Sequence, residues 1–179
     1  MNIRIIKITD CGKLTSPETT TLTYNLGVGG STNIHFRVTD NKTGGLFSPE
    51  WIALDTILDT VKDMPDAKPF SALIFDRLFT YRSANNAGFL AAALLAEGVL
   101  QRYKETKRMV IIGEPDKFLE ELKPLVDNDI SLHDVIAERL EARKLKEVER
   151  EKALAQVRAA RTKASADKPT KPNTTPTTK

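Results

Sequence analysis

A long stretch without glycine or proline limits how this 179-residue chain can fold. Residues 131–163, which begin with a helix-start signal, lie within it and contain neither residue type. Because an α-helix rises about 1.5 Å per residue, one helix over these residues would be about 50 Å long, more than a small domain can cover along one side. We therefore predict an extended charged helix over residues 130–163, following a compact domain in residues 1–129.

The sequence of this helix does not predict a coiled coil. Ser131 and Asp134 have the spacing of a capping box, which indicates a helix start. The apolar residues follow one another at steps of three, one, four, five, three, six and three, so they establish no heptad repeat. Only the first third of the helix is therefore expected to dock on the domain. The apolar residues are Leu132, Val135, Ile136, Leu140, Leu145, Val148, Leu154 and Val157.

The two predicted parts of the chain also differ in net charge. Residues 1–129 carry 15 basic and 17 acidic side chains, whereas residues 130–179 carry 12 and 7. The basic excess lies after Glu151, where basic side chains can neutralise nucleic-acid phosphates or contact a protein partner. The candidate contact residues are Lys152, Arg158, Arg161, Lys163, Lys168 and Lys171.

The C-terminal segment lacks the pattern of a packed element, and the N-terminal segment lacks the pattern of a secretory signal. Residues 164–179 contain three prolines and five threonines, and this composition predicts a disordered tail because too little apolar surface offsets the ordering entropy. Near the start, Arg4, Lys7 and Asp10 interrupt the apolar run that a secretory signal needs. The longest apolar segment is shorter than the roughly 20 residues that cross a bilayer. We expect a cytoplasmic protein with no membrane partner.

The pattern in the first 129 residues predicts an α+β fold. Six of the nine glycines fall between residues 12 and 45, among β-branched and aromatic runs that favour short strands. Apolar and polar residues alternate in residues 20–26 and 32–39, which predicts an antiparallel hairpin. Its glycine-rich connection, residues 27–31, is interpreted as a flexible tip because the full phosphate-loop pattern is absent.

The rest of the domain is predicted to alternate strands and helices. Ser48-Pro49-Glu50 favours a helix start, and Met64-Pro65 favours its end. Residues 72–75 and 109–112 are predicted strands on either side of a buried helix within residues 86–103, and a further helix follows Glu114. This order is typical of a βαβ unit. The expected architecture is a mixed sheet with an N-terminal antiparallel hairpin and one buried central helix.

A parallel pair of these strands would place polar side chains at one edge of the sheet. Open α/β sheets bind ligands at the carboxyl ends of their strands, so this edge is a candidate cleft. Glu97 is either a desolvated acid or the partner of an arginine, Arg77 or Arg82, and the two asparagines are equally explained as helix caps. The candidate cleft residues are Asp76, Arg77, Asn85, Asn86, Glu97 and Asp116.

Few residues in the chain suit metal or covalent chemistry. Cys11 is the only cysteine, so no internal disulfide forms, and His35 and His133 are the only histidines, too few for a zinc site of the usual spacing. Cys11 lies in an expected turn and His35 in an expected strand, and nothing in the pattern places them together. We predict no metal and no cofactor, and we assign no catalytic residue.

These features favour a non-enzymatic accessory protein. It would bind a protein partner through its α+β domain and its long helix. One alternative is a nucleic-acid-binding protein whose basic C-terminal arm contacts phosphates without sequence preference. A second alternative is a small α/β-type enzyme with a cleft near Asp76, Asn86 and Asp116. The sequence leaves the oligomeric state open.

Overall fold

A computed structural model of the chain describes residues 3–65, 68–106 and 108–166. The elements follow one another along the chain as seven strands, four α-helices and two 3₁₀ helices within these residues. The strands are β1 Arg4–Gly12, β2 Thr20–Val28, β3 Ile34–Asn41, β4 Ile52–Ala53, β5 Phe70–Ser71, β6 Leu100–Arg102 and β7 Met109–Ile112. The helices are α1 Leu54–Val61, α2 Asn86–Ala96, α3 Pro115–Asp127 and α4 Val135–Ala166, with 3₁₀ helices at Gly30–Thr32 and Ala72–Leu78.

The first sheet contains four antiparallel strands in the order β1-β2-β3-β4. The predicted hairpin is confirmed as β2 and β3, in which Leu26 lies opposite Phe36 and Asn25 opposite Arg37. Leu26 and Phe36 are buried in the core, as the alternating pattern predicts. The polar face is buried as well, because Asn25 and Arg37 are only 4% and 5% exposed.

The second sheet has the order β5-β7-β6, and both of its strand pairs are antiparallel. The α+β class is confirmed, but the predicted parallel βαβ arrangement is wrong. Residues 103–108 are too few for the crossover that parallel strands require, so β6 and β7 form a hairpin. Gly98 ends α2 with a φ of +73°, and the chain then turns into β6 instead of continuing as a helix to residue 103.

The predicted strand at residues 72–75 is also wrong, because this segment belongs to the 3₁₀ helix Ala72–Leu78. The hydroxyl of Ser71 accepts a hydrogen bond from the Leu73 amide and so caps the first turn. In a 3₁₀ helix, residues three apart lie on the same side. Ala72 and Phe75 have this spacing and are both buried, whereas a strand would place them on opposite faces.

Helix α1 begins at Leu54 and not at the predicted Ser48. The Ser48 hydroxyl instead donates to Glu50 Oε1 at 2.6 Å. The Glu50 carboxylate also accepts the backbone amides of Thr80 and Tyr81, each at 3.0 Å, and these hydrogen bonds hold the carboxyl pKa below its usual range although burial opposes them. The polar groups that suggested a helix cap therefore hold two loops together.

Helix α2 is the buried central helix that the sequence predicts. Eight of its 11 residues are buried, including Leu94 and Ala91, which have no exposed surface. Its alanines allow the sheet and the 3₁₀ helix to pack closely around it. On the same core, the rings of Phe36 and Phe118 lie 5.6 Å apart and join β3 to α3.

The long C-terminal helix is confirmed as α4. The chain divides into two units after Asp134, so that α4 belongs to the second unit. The helix does not begin at Ser131 as predicted, because the Leu132 amide donates to the Ile5 carbonyl at 2.8 Å and extends the edge of β1. Residues 164–166 of the predicted tail complete α4, and residues 167–179 lie outside the described part of the chain.

Candidate binding sites

An open cavity of about 410 Å³ lies against the N-terminal part of α2. Its walls come from the loop after β1, the 3₁₀ helix Ala72–Leu78 and the segment before β7. Leu14 and Phe89 form buried parts of the wall, whereas Leu73 is 69% exposed at its rim. The cavity, called the α2 cleft below, therefore combines an apolar floor with an uncovered leucine.

Two basic side chains line the α2 cleft. The Lys13 ammonium lies 5.3 Å from the centre of the Phe89 ring and donates a hydrogen bond to the Thr43 hydroxyl. Arg108 is exposed and lines the cleft from the segment directly before β7. The Asn85 amide lies on the same wall and donates to the Leu46 carbonyl at 2.9 Å.

Sequence reasoning did not find Lys13, Arg108 or Gly88 as cleft residues. They come from three distant segments, and only the tertiary fold brings them to one cavity. Gly88 carried the one usable signal, since a glycine inside an otherwise alanine- and leucine-rich helix is less favourable than alanine. A β-carbon at Gly88 would meet nothing within 4 Å, so packing does not require glycine there.

The structure distributes the predicted cleft residues among different places. Asn85 lines the α2 cleft, but Asp76 lines a neighbouring depression of about 380 Å³ together with Arg82. Arg77 donates to the Thr60 carbonyl at 3.2 Å, and Asp116 is exposed in the first turn of α3. The parallel strands that would have joined these groups do not exist among the described residues.

Asn86 has a structural position. Its side chain is 2% exposed, its Oδ1 accepts the Ser48 amide at 2.8 Å, and its Nδ2 donates to the Tyr81 carbonyl at 2.7 Å. These hydrogen bonds tie the loop before β4 to the loop before α2. Because both ends of the amide are used inside the protein, Asn86 acts as a connector of loops.

Glu97 pairs with Lys7 and Tyr24, and not with Arg77 or Arg82 as the sequence suggested. Its side chain is 7% exposed; Oε1 accepts the Tyr24 hydroxyl at 2.5 Å, and both oxygens lie 2.8 Å from the Lys7 ammonium. Burial, followed by the bond to Glu97, raises the pKa of Tyr24 above its ordinary value. The tyrosine is thus held as a neutral donor.

Cys11 and His35 are kept apart by the strand register. Cys11 lies opposite Leu22, and Leu22 lies opposite Asn41 on β3. His35 comes six residues before Asn41 on the same strand, which separates these two residues by about 20 Å. Burial, followed by the nearby carboxylates, raises the pKa of the Cys11 thiol to about 11. A high thiol pKa disfavours the nucleophilic thiolate.

Arg37 is a buried charge that sequence reasoning missed. Its Nη2 lies 2.6 Å from Asp134 Oδ1, and the guanidinium lies 4.2 Å from the centre of the Trp51 ring. Such stacking together with an ion pair suits the flat guanidinium of arginine. The contact fixes the residue that directly precedes α4 to the sheet.

Helix α4 carries exposed apolar side chains between charged ones. Leu145 is 66% exposed, and the exposed fractions of Leu140, Val148, Leu154 and Val157 lie between 47% and 52%. Among the predicted contact residues, Lys152 and Arg158 are exposed on α4. Arg161 and Lys163 belong to α4, but their side chains lie outside the described set, as do Lys168 and Lys171 entirely.

The described residues hold no group of three His, Cys, Asp or Glu side chains placed to bind a metal ion. Within the same part of the chain, no helix combines the length and the apolar character needed to cross a membrane. Comparisons of the chain with protein-family models, with curated proteins and with solved structures return no match.

Proposed function

We propose that this protein is a non-enzymatic accessory protein that binds a protein partner through its α+β unit and α4. The observation that carries the proposal is the set of half-exposed leucines and valines on α4. Fully burying such a side chain is worth about 1.5–3 kcal/mol, so covering the remaining half of each would contribute about 1 kcal/mol. Covering all five would contribute about 5 kcal/mol before the entropic cost of association.

The spacing of these residues defines how a partner can approach. Leu145 and Val148 are followed nine residues later by Leu154 and Val157. Nine residues make about two and a half helical turns, so the two pairs face opposite sides of α4. A partner that covers both pairs contacts α4 from two sides, as two helices of another protein would.

The charges of the first part of α4 favour a protein over a nucleic acid. Residues 130–151 hold five basic and six acidic side chains. Glu147 and Glu149 lie about 200° apart around α4, so a nucleic acid laid along either side of this part would meet an acidic side chain that repels its phosphates. Mixed charges around apolar pairs are instead typical of helices that associate with other helices.

The test compares two double variants of the full chain. Leu145→Ser with Val148→Ser removes one apolar pair, whereas Glu147→Ser with Arg150→Ser changes the opposite side of the same turns without altering net charge. A photo-crosslinking residue in place of Glu141, one turn before Leu145 on the same side of α4, then records the partner by mass spectrometry. We expect a specific protein adduct that the first variant loses and the second keeps.

Helix content measured by circular dichroism serves as the control for both variants. Serine is a modest helix former, so both should lose a similar small amount of helix. Equal adducts from both variants, or no adduct from the chain that carries only the photo-crosslinking residue, would show that the apolar pair binds no protein. Either outcome refutes the proposal.

The basic segment after Glu151 supports a second candidate function, binding of nucleic acid without sequence preference. Seven basic side chains and one acidic side chain follow this residue. Reversing the charges of Arg158, Arg161 and Lys163 should abolish a mobility shift at low salt, and raising the salt should weaken the shift steeply. A shift that survives the reversal would exclude this function.

A further inference from the structure

Gly88 leaves space in the α2 cleft that the fold itself does not require. Glycine costs a helix interior about 1 kcal/mol relative to alanine, and Gly88 lies in the first turn of a helix that contains five alanines. An added β-carbon at Gly88 would contact nothing within 4 Å, so alanine would fit without displacing any neighbour. The glycine therefore keeps the wall of the cleft open at a cost in helix stability.

The charges around this space have one sign. Lys13 and Arg108 both line the cleft, and its described lining includes no acidic side chain. Lys13 is held in place by the Thr43 hydroxyl and by the face of the Phe89 ring. A positioned ammonium and an exposed guanidinium that line one cleft favour a carboxylate or a phosphate.

The remaining surface of the cleft suits an apolar or aromatic body. Leu14 and Phe89 form the floor, and Leu73 stands uncovered at the rim. The volume of about 410 Å³ falls within the range of about 300–1,000 Å³ that small-molecule sites occupy. An apolar floor with a few polar groups at one side is the usual composition of such sites.

We propose that the α2 cleft binds a small organic anion. Its carboxylate or phosphate meets Lys13 and Arg108, and its apolar body packs on Phe89 under Leu73. The Asn85 side chain lies on the same wall; one N–H of its amide donates to the Leu46 carbonyl, and the second can donate to the anion. All lining residues of this site belong to the α+β unit and none to α4, so its test does not depend on the protein partner.

Three naphthalene probes distinguish the contribution of the anionic group to binding from that of the apolar body. Binding of 1-naphthoate, 1-naphthyl phosphate and neutral 1-naphthamide is measured by calorimetry on the full chain. We expect the two anions to bind at least tenfold more tightly than the amide, and the tighter of the two identifies the acid group. Inorganic phosphate alone should compete weakly because it lacks the apolar body.

Gly88→Leu tests the space, and Lys13→Met tests the charge. The leucine fills the cleft, so binding of both anions should weaken at least tenfold, while the melting temperature stays equal or rises because leucine favours the helix. Lys13→Met should weaken the anions about fivefold and leave the amide unchanged. Lys42→Met is the matched control, since Lys42 pairs with Asp10 and does not line the cleft.

Two results would overturn the proposal. Gly88→Leu that folds and still binds the naphthalene anions normally would show that they bind elsewhere. Equal affinity for the amide and the anions, or equal loss in Lys42→Met, would show that the cleft does not select an anion. If Gly88→Leu fails to fold, Gly88→Ala, which fits without displacing a neighbour, tests the space with a smaller expected loss of affinity.

Discussion

The hydrogen bond between Tyr24 and Glu97 allows a quantitative test of the α+β unit. Tyr24 is 2% exposed, and its hydroxyl lies 2.5 Å from a carboxylate that is itself 7% exposed. The Lys7 ammonium pairs with the same carboxylate, and the Lys7 side chain is 36% exposed. The perturbation is a double-mutant cycle made of Tyr24→Phe, Glu97→Leu and the two together.

Each single change leaves one buried partner without its bond. Tyr24→Phe removes a charge-assisted hydrogen bond and should lower the free energy of unfolding by about 1.5–3 kcal/mol. Glu97→Leu leaves the Tyr24 hydroxyl buried without this acceptor, at a cost of about 1–3 kcal/mol, whereas Lys7 can turn to water and adds little. The double variant removes both partners and should cost about 1–2 kcal/mol less than the sum.

The assay is urea unfolding followed by the fluorescence of Trp51, the only tryptophan. Trp51 lies in the α+β unit, so the signal reports that unit. The control removes the exposed pair of Asp59 and Lys62, whose side chains are 72% and 62% exposed, and should change stability by less than about 0.5 kcal/mol. Additivity of the Tyr24 and Glu97 effects to within about 0.5 kcal/mol would refute the reasoning.

The same hydrogen bond predicts a pH dependence. Burial, and then the bond to Glu97, raises the pKa of Tyr24 above its ordinary value of 10.0. A group whose pKa is raised by folding stabilises the protein below its unfolded pKa and loses that effect as the pH rises, because the unfolded chain then ionises first. Above about pH 10, the free energy of unfolding should fall more steeply in the wild type than in Tyr24→Phe.

Three further predictions concern buried side chains elsewhere in the α+β unit. Cys11 is buried with a thiol pKa raised to about 11, so a disulfide reagent at pH 8 should label it only after unfolding; fast native labelling would contradict this. Leu94→Ala should cost about 2–5 kcal/mol in urea unfolding, since Leu94 has no exposed surface. Asp134→Asn should cost about 1–3 kcal/mol by weakening the bond to buried Arg37, and an unchanged urea midpoint would argue against that pair.

Elements with a strong local period could be predicted from the sequence. The hairpin of β2 and β3 alternates with period two, and α2 is apolar on all sides, so burial dictates both patterns directly. The length of α4 followed from the missing glycine and proline. In these segments the local sequence and the final environment impose the same structure.

Short elements and distant contacts could not be predicted in this way. In the 3₁₀ helix Ala72–Leu78, the buried residues lie three apart. Over only seven residues, this spacing does not distinguish a 3₁₀ helix from an α-helix or a strand. The charged residues Arg37 and Asp134 are 97 positions apart, and no local pattern indicates that they meet. The α2 cleft combines Lys13, Gly88 and Arg108 for the same reason.

The edges of the sheets narrow the ways in which a partner protein can bind. The outer edge of β1 is occupied where Leu132 pairs with Ile5, and Arg4 is bonded to the Ile130 carbonyl at 2.5 Å. At the opposite edge β4 is only two residues long, and β5 and β6 at the edges of the second sheet have two and three. Strand addition to β4, β5 or β6 would need a longer free edge, so the proposed partner is tested for side-chain contacts on a helix instead. The exposed pairs of α4 provide such contacts, which is why the proposed test is placed at Leu145 and Val148.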